Sequence, residues 1–160
     1  MLFSGEDPFA VHTVVGAAYR IVRDLAEKSG NSQFHEIFKQ MIRPGKEKRF
    51  WAGINKAPNF LQHADSDPAD VLEVEEELND VIIATACIYY PRLGYALTPI
   101  MRGFMAWCMV LNPDFFIETA PMKAVLAGSM FDQYISKPRI GQLKLGRQII
   151  GMVVATKSSI

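Results

Sequence analysis

Val11, Val15, Ala18, Val22 and Leu25 recur at spacings of four and three, the stripe of an amphipathic helix. Asp7-Pro8 precedes it as cap and first helical residue, and Gly30 comes after it as a stop. A second, shorter helix carries Phe34, Ile37, Phe38 and Met41 behind Ser32, and Pro44-Gly45 ends it. Glu47 to Ile54 reads as a third helical segment, broken or kinked by Pro58, with one more turn over Asn59 to Ala64. Asp67-Pro68 repeats the helix start. Val71, Val74, Leu78, Val81, Thr85 and Ile88 then predict a long helix reaching Tyr90. Thr98-Pro99 opens a further helix, Met101 to Leu111, apolar nearly all round, which marks it as the centre of the bundle. Phe115-Phe116 begins a short connector or helical turn. Thr119 and Pro121 start a helix running through Val125 and Phe131 to Ile135. Gly141, Gly146 and Gly151 weaken any helix near the C-terminus, so a short helix and a loosely packed tail are expected over 137–160. Only Gln148 to Thr156 hints at a strand. The expectation is one all-α domain over residues 1–160, a compact bundle of about six helices with short loops.

Composition adds boundaries to this picture. Of the 160 residues, 49% are apolar and 21% charged, so the chain can bury a core. The formal net charge is zero, which excludes bulk attraction to nucleic acid or anionic membrane but not a local patch. Arg92 and Arg102 interrupt the most apolar region, and no uncharged apolar run reaches ~18 residues, so no membrane partner is expected. Met1 to Pro8 lacks the basic and apolar parts of a secretory signal. Cys87 and Cys108 lie in apolar runs, where a free thiol acts as a small core group, and a reducing cytoplasm is the expected compartment. Several chemistries are excluded by missing motifs: there is no G-x-G-x-x-G after a strand, no P-loop, no G-x-S-x-G, no C-x-x-C and no Glu-x-x-His.

Charge is unevenly placed. Between Lys39 and Lys56 stand six basic residues and only Glu47, whereas Asp65 to Asp80 holds eight acidic residues and no basic one. Asp70, Glu73, Glu77 and Asp80 would form an acidic stripe opposite the apolar one. Such a pair of segments either offers a basic patch to phosphate or packs one against the other.

Between these two segments lies the candidate site: Lys56, Asn59, His63 and Asp65. In a helical turn Asn59 and His63 share a face, with Lys56 one turn before and Asp65 just beyond. Histidine titrates near neutral pH and moves protons there, and a lysine stabilises charge on a phosphate, so His63 and Lys56 point to RNA cleavage through the 2′-hydroxyl without a metal. The plainer reading has His63 closing its helix. A metal reading would use His63, Asp65 and Asp67 with Glu76 or Asp80. His12, Tyr19 and Arg23 lie near one face of the first helix, which suits either a polar site opposite His63 or a surface.

The run Asn59-Phe60-Leu61-Gln62-His63-Ala64-Asp65 resembles the N-F-x-K-H-A-D segment of a group of small bacterial helical proteins, with Ala17-Ala18-Tyr19 and Leu25 as further matching positions. More distantly it resembles the HEPN superfamily, compact helical bundles that dimerise and often cleave RNA without a metal. That likeness implies a bundle, a homodimer and an Arg-to-His active motif. Here no arginine stands four to six residues before His63; Lys56 is the nearest cation, and Gln62 replaces the lysine of the narrower group.

Three functions fit these residues. The first is a cytoplasmic, homodimeric, HEPN-like bundle that binds or cleaves RNA around Lys56, Asn59, His63 and Asp65 with no cofactor. The second is a non-enzymatic bundle holding a small molecule or a protein partner. The third is a metal-dependent hydrolase. The dimer seam is expected on the first helix or around Phe104, Trp107, Phe115 and Phe116.

Overall fold

Asp7 accepts hydrogen bonds from the backbone N–H groups of Phe9 (2.8 Å) and Ala10 (3.0 Å), so helix α1, Pro8–Lys28, begins where the Asp-Pro pair predicts. The computed structural model describes residues 2–30, 34–63, 69, 71–117 and 132–157. Along these residues α1 is followed by α2 (Phe34–Met41), α3 (Glu47–Gln62), α4 (Glu76–Tyr89), α5 (Pro99–Leu111), α6 (Asp132–Ile135) and α7 (Arg139–Lys157). The architecture is an all-α bundle, as expected. The predicted caps at Ser32, Asp67 and Thr119 lie outside the described residues. Thr98 does cap α5, accepting from Met101 N–H at 3.2 Å.

After α5 a turn over residues 113–115, in which Phe115 N–H donates to Asn112 C=O at 3.0 Å, leads into a short extended strap. Phe116 forms an isolated antiparallel bridge with Ile42, and Ile117 N–H donates to Met41 C=O at 2.7 Å. Both Phe115 and Phe116 are buried, so the strap closes one end of the core and ties α5 to the end of α2.

The centre of the bundle is α4 rather than α5. Leu78, Val81, Ile82, Ala84 and Tyr89 are buried on α4 together with Asn79, Asp80 and Thr85, and the helix packs against α1, α3 and α5. On α5, Ile100 and Arg102 remain exposed. The predicted stripe undercounts α4, because Asn79 and Asp80 lie off it and are also inside. Asp80 is the sharpest correction. Expected on an exposed acidic stripe, it is fully buried against Arg139 of α7.

α4 also starts later than Asp67-Pro68 suggests. Residues 71–75 have no helical structure, and Val71 is 78% exposed. Like charges three and four residues apart oppose a helix here, and Arg49 holds Glu75 at 3.0 Å in an extended conformation. On α1 the buried face is Val11, His12, Gly16, Tyr19 and Ala26, rotated from the predicted stripe; Leu25 is half exposed. Tyr19 decides the rotation, since its ring meets Phe50 edge-on at 5.7 Å and a large side chain outweighs methyl groups.

Pro58 does not break α3. The helix continues through it to Gln62 although an internal proline costs about 3 kcal/mol. Burial of Phe50, Ile54 and Ala57 along the same helix offsets that cost. Gly53 lets α3 approach α4: a Cβ there would stand 1.7 Å from Leu78 Cδ2. Gly53→Ala should therefore destabilise the fold by about 1–3 kcal/mol, despite alanine's better helix propensity, as urea denaturation would register. An unchanged midpoint would show that Leu78 yields freely.

The expected loose tail is instead the regular helix α7, which lies along α5. One of its glycines, Gly146, serves packing. A Cβ on Gly146 would come within 2.3 Å of the Phe3 ring. Leu145 is buried, and Trp107 Nε1–H donates to Gln142 C=O at 2.9 Å. The strand hint at Gln148 to Thr156 is thereby overturned. Among the described residues no helix is long and apolar enough to cross a membrane.

Candidate functional site

Because α3 is unbroken, Asn55, Asn59 and His63 stand four residues apart on one helix face, and Lys48, Ala52 and Lys56 run beside them at the same spacing. These side chains line an open groove of about 850 Å³, with Trp51 and Phe60 as aromatic surface and Val71 and Leu72 as the opposite wall. The structure thus brings together three of the four predicted site residues: Lys56, Asn59 and His63. Asp65 lies outside the described residues.

His63 caps the C-terminus of α3, its backbone N–H donating to Asn59 C=O at 3.1 Å and Phe60 C=O at 3.2 Å. Its ring is exposed at the end of the groove. Lys56 and His63 share a face but are separated by about 10 Å of helix rise, and Lys48 and Lys56 by about 12 Å. These spacings suit an extended ligand better than a lysine and an imidazole acting on one phosphate.

The basic segment divides into structural and free charges. Arg49 pairs with Glu75, and Arg43 Nε–H donates to the carbonyls of Pro113 (2.8 Å) and Phe116 (2.9 Å). Lys48 and Lys56 have no ion partner among the described residues, and no described carboxylate lines the groove. Asn55 is spoken for: it accepts from Arg20 at 3.1 Å and donates to Trp51 C=O at 3.0 Å. The Asn59 amide has no such partner among the described residues and can meet a ligand.

Of the metal set, Asp65 and Asp67 lie outside the described residues, and Glu76 and Asp80 are engaged elsewhere. Asp80 and Glu76 both face Arg139, on the other side of the bundle's central helix, and no cluster of three ligating side chains occurs among the described residues. Burial pushes the Asp80 carboxyl up to about 6 while Arg139 pulls it down, so the pair is charged at neutral pH. Cys87 and Cys108 are free and buried. Burial pushes the Cys87 thiol up to about 11 and the Cys108 thiol well above its usual range, which leaves neither as a nucleophile.

His12, Tyr19 and Arg23 do not face His63. His12 and Tyr19 are buried, and Arg23 pairs with Asp24 at 2.7 Å. No family model, curated protein or solved structure matches this chain. Sequence reasoning missed Lys48, Trp51 and Phe60 as groove residues; extending the four-residue spacing from His63 back through Pro58 would have found Trp51, and the same step from Lys56 would have found Lys48.

Proposed function

We propose that the groove along α3 binds single-stranded RNA. The observation that carries this is a groove holding two lysines and an amide without partners among the described residues, and an imidazole, with no described carboxylate among them. Lysines about 12 Å apart on one face track successive phosphates of an extended strand. Trp51 and Phe60 offer stacking surface to bases, and Asn59 and His63 offer hydrogen bonds to a 2′-hydroxyl. The neutral chain gives no wider field to hold a duplex, so binding rests on this local patch. The all-α architecture is compatible with the HEPN resemblance of the Asn59–Asp65 segment, and metal-independent cleavage would use His63 as the proton carrier. Incubating a 5′-labelled oligouridine with wild type and His63→Ala tests both levels: weaker binding by the variant is expected, and cleavage lost with the ring assigns it to His63. Equal binding by the two proteins contradicts the role given to His63.

α1 supports self-association. Val14, Ile21 and Leu25 are each at least half exposed and, with Ala18, form a stripe at spacings of four, three and four. A second copy of this chain is the partner such a seam fits. Ile21→Glu should convert the dimer to monomer in analytical ultracentrifugation; an unchanged mass places the seam elsewhere or removes it. The two free, buried thiols favour a reducing cytoplasm.

A further inference from the structure

Ala10, Val14, Ala17, Ala18, Ile21 and Leu25 share the outward face of α1, and all are exposed. No charged residue stands among them on that face. The charges of α1 are placed around it. Arg23 pairs with Asp24 at 2.7 Å and lies 3.8 Å from Glu27, and Arg20 donates to Asn55 at 3.1 Å. Asp7 accepts from the first turn as its cap. Two charges are left with no hydrogen bond or ion pair among the described residues, and they stand at opposite ends. Glu6 is just before the helix and Lys28 is in its last turn, both exposed.

The apolar face also continues sideways. A recess of about 270 Å³ between α1 and α3 is lined by Thr13 and Ala17 on one side and by Pro58 and Leu61 on the other, and Leu61 is 54% exposed. A single helix stripe is narrow against the ~1,200 Å² that a stable interface buries, and Leu61 widens it.

Taking α1 as the seam, we propose that two copies of this chain pack α1 against α1 in antiparallel orientation, with the two-fold axis between Ala17 and Ala18. In such a symmetric contact each residue meets a different residue of the second copy. The axis then falls on the two alanines, whose small side chains let the backbones approach. On either side Val14 meets Ile21 and Ala10 meets Leu25, a smaller side chain against a larger one each time. At both ends Lys28 of one copy reaches Glu6 and Asp7 of the other, and charge pairs of this kind set orientation. A parallel seam would instead set Lys28 beside Lys28 and Glu6 beside Glu6. An antiparallel seam slid by four residues would seat Lys28 on Val11, away from any acid. The two-fold also carries both copies of α3 to one side of the seam, because α3 packs on one flank of α1; a parallel seam would place them on opposite sides.

Cross-linking reads the orientation. Val14→Cys and Ile21→Cys change exposed positions, and the native Cys87 and Cys108 are buried, so a short bis-maleimide reports the new thiols. A mixture of the two variants should give cross-linked dimer, and each variant alone should give little. Charge reversal reads the register. Lys28→Glu should weaken the dimer about fivefold in sedimentation equilibrium, and adding Glu6→Lys should restore it. A dimer in which Val14→Cys cross-links to itself, or in which the mixture does not cross-link, overturns the antiparallel packing while leaving self-association intact. Failure of Glu6→Lys to rescue Lys28→Glu overturns the register. A wild type that stays monomeric removes the seam and its orientation together.

Discussion

Arg139→Ala should lower the unfolding free energy by about 3–5 kcal/mol, enough to unfold a marginally stable domain. The guanidinium makes two parallel bonds to Asp80, Nη1 to Oδ2 at 2.6 Å and Nη2 to Oδ1 at 2.7 Å, and Asp80 is completely buried on the central helix. Glu76 lies 3.5 Å from Nε, and the guanidinium sits over the Trp107 ring at 5.5 Å. Removing it strands a carboxylate inside the core. The loss therefore depends on pH. Burial raises the folded Asp80 carboxyl above its unfolded value, and losing Arg139 raises it further, so the folded variant takes up a proton the unfolded chain does not hold. The deficit relative to wild type should be larger at pH 8 than at pH 5. Replacing both partners, Asp80→Leu with Arg139→Met, should recover most of the loss, because an apolar pair needs no compensation. Urea denaturation of the three proteins at two pH values measures all of this. A deficit below ~1 kcal/mol for Arg139→Ala would show that the pair is a surface contact in solution.

The second large effect concerns the groove. Lys48→Ala with Lys56→Ala should weaken oligouridine binding on the order of tenfold or more at low salt. Each lysine that meets a phosphate of a single strand contributes about 0.7 to the slope of log affinity against log salt, so the double variant should lose about 1.4. Both side chains are exposed and unpaired among the described residues, so stability should barely change. Fluorescence anisotropy at several salt concentrations reads both quantities. An unchanged slope would mean that neither lysine touches the strand.

What the sequence made legible was local. Asp7-Pro8 and Thr98-Pro99 announced helices because a cap acts on the N–H groups just after it. The Asn59–His63 pair was legible because a helix places every fourth residue on one face. The errors came where distant residues decided. Asp80 reads as a surface acid until Arg139, far along the chain, is brought against it. His12 gave no sign of its bond to Asn79, and Gly146 looked like a helix breaker because Phe3, the reason for its missing side chain, comes from the other end of the protein. Pro58 misled in the opposite direction: its local cost is real, but buried neighbours on α3 outweigh it. That single misreading hid the groove's length, since a helix stopped at Ile54 separates Lys48 from His63.

The most direct measurement of the central claim is a map of amide shifts in the ¹⁵N-labelled chain as a short oligouridine is added at low salt. Shifts running along one face of α3, from Lys48 through Ala52 and Asn59 to His63, and onto Val71 and Leu72, are the predicted result. No shifts at all, or shifts gathered on α5 and α7 with α3 silent, would contradict it.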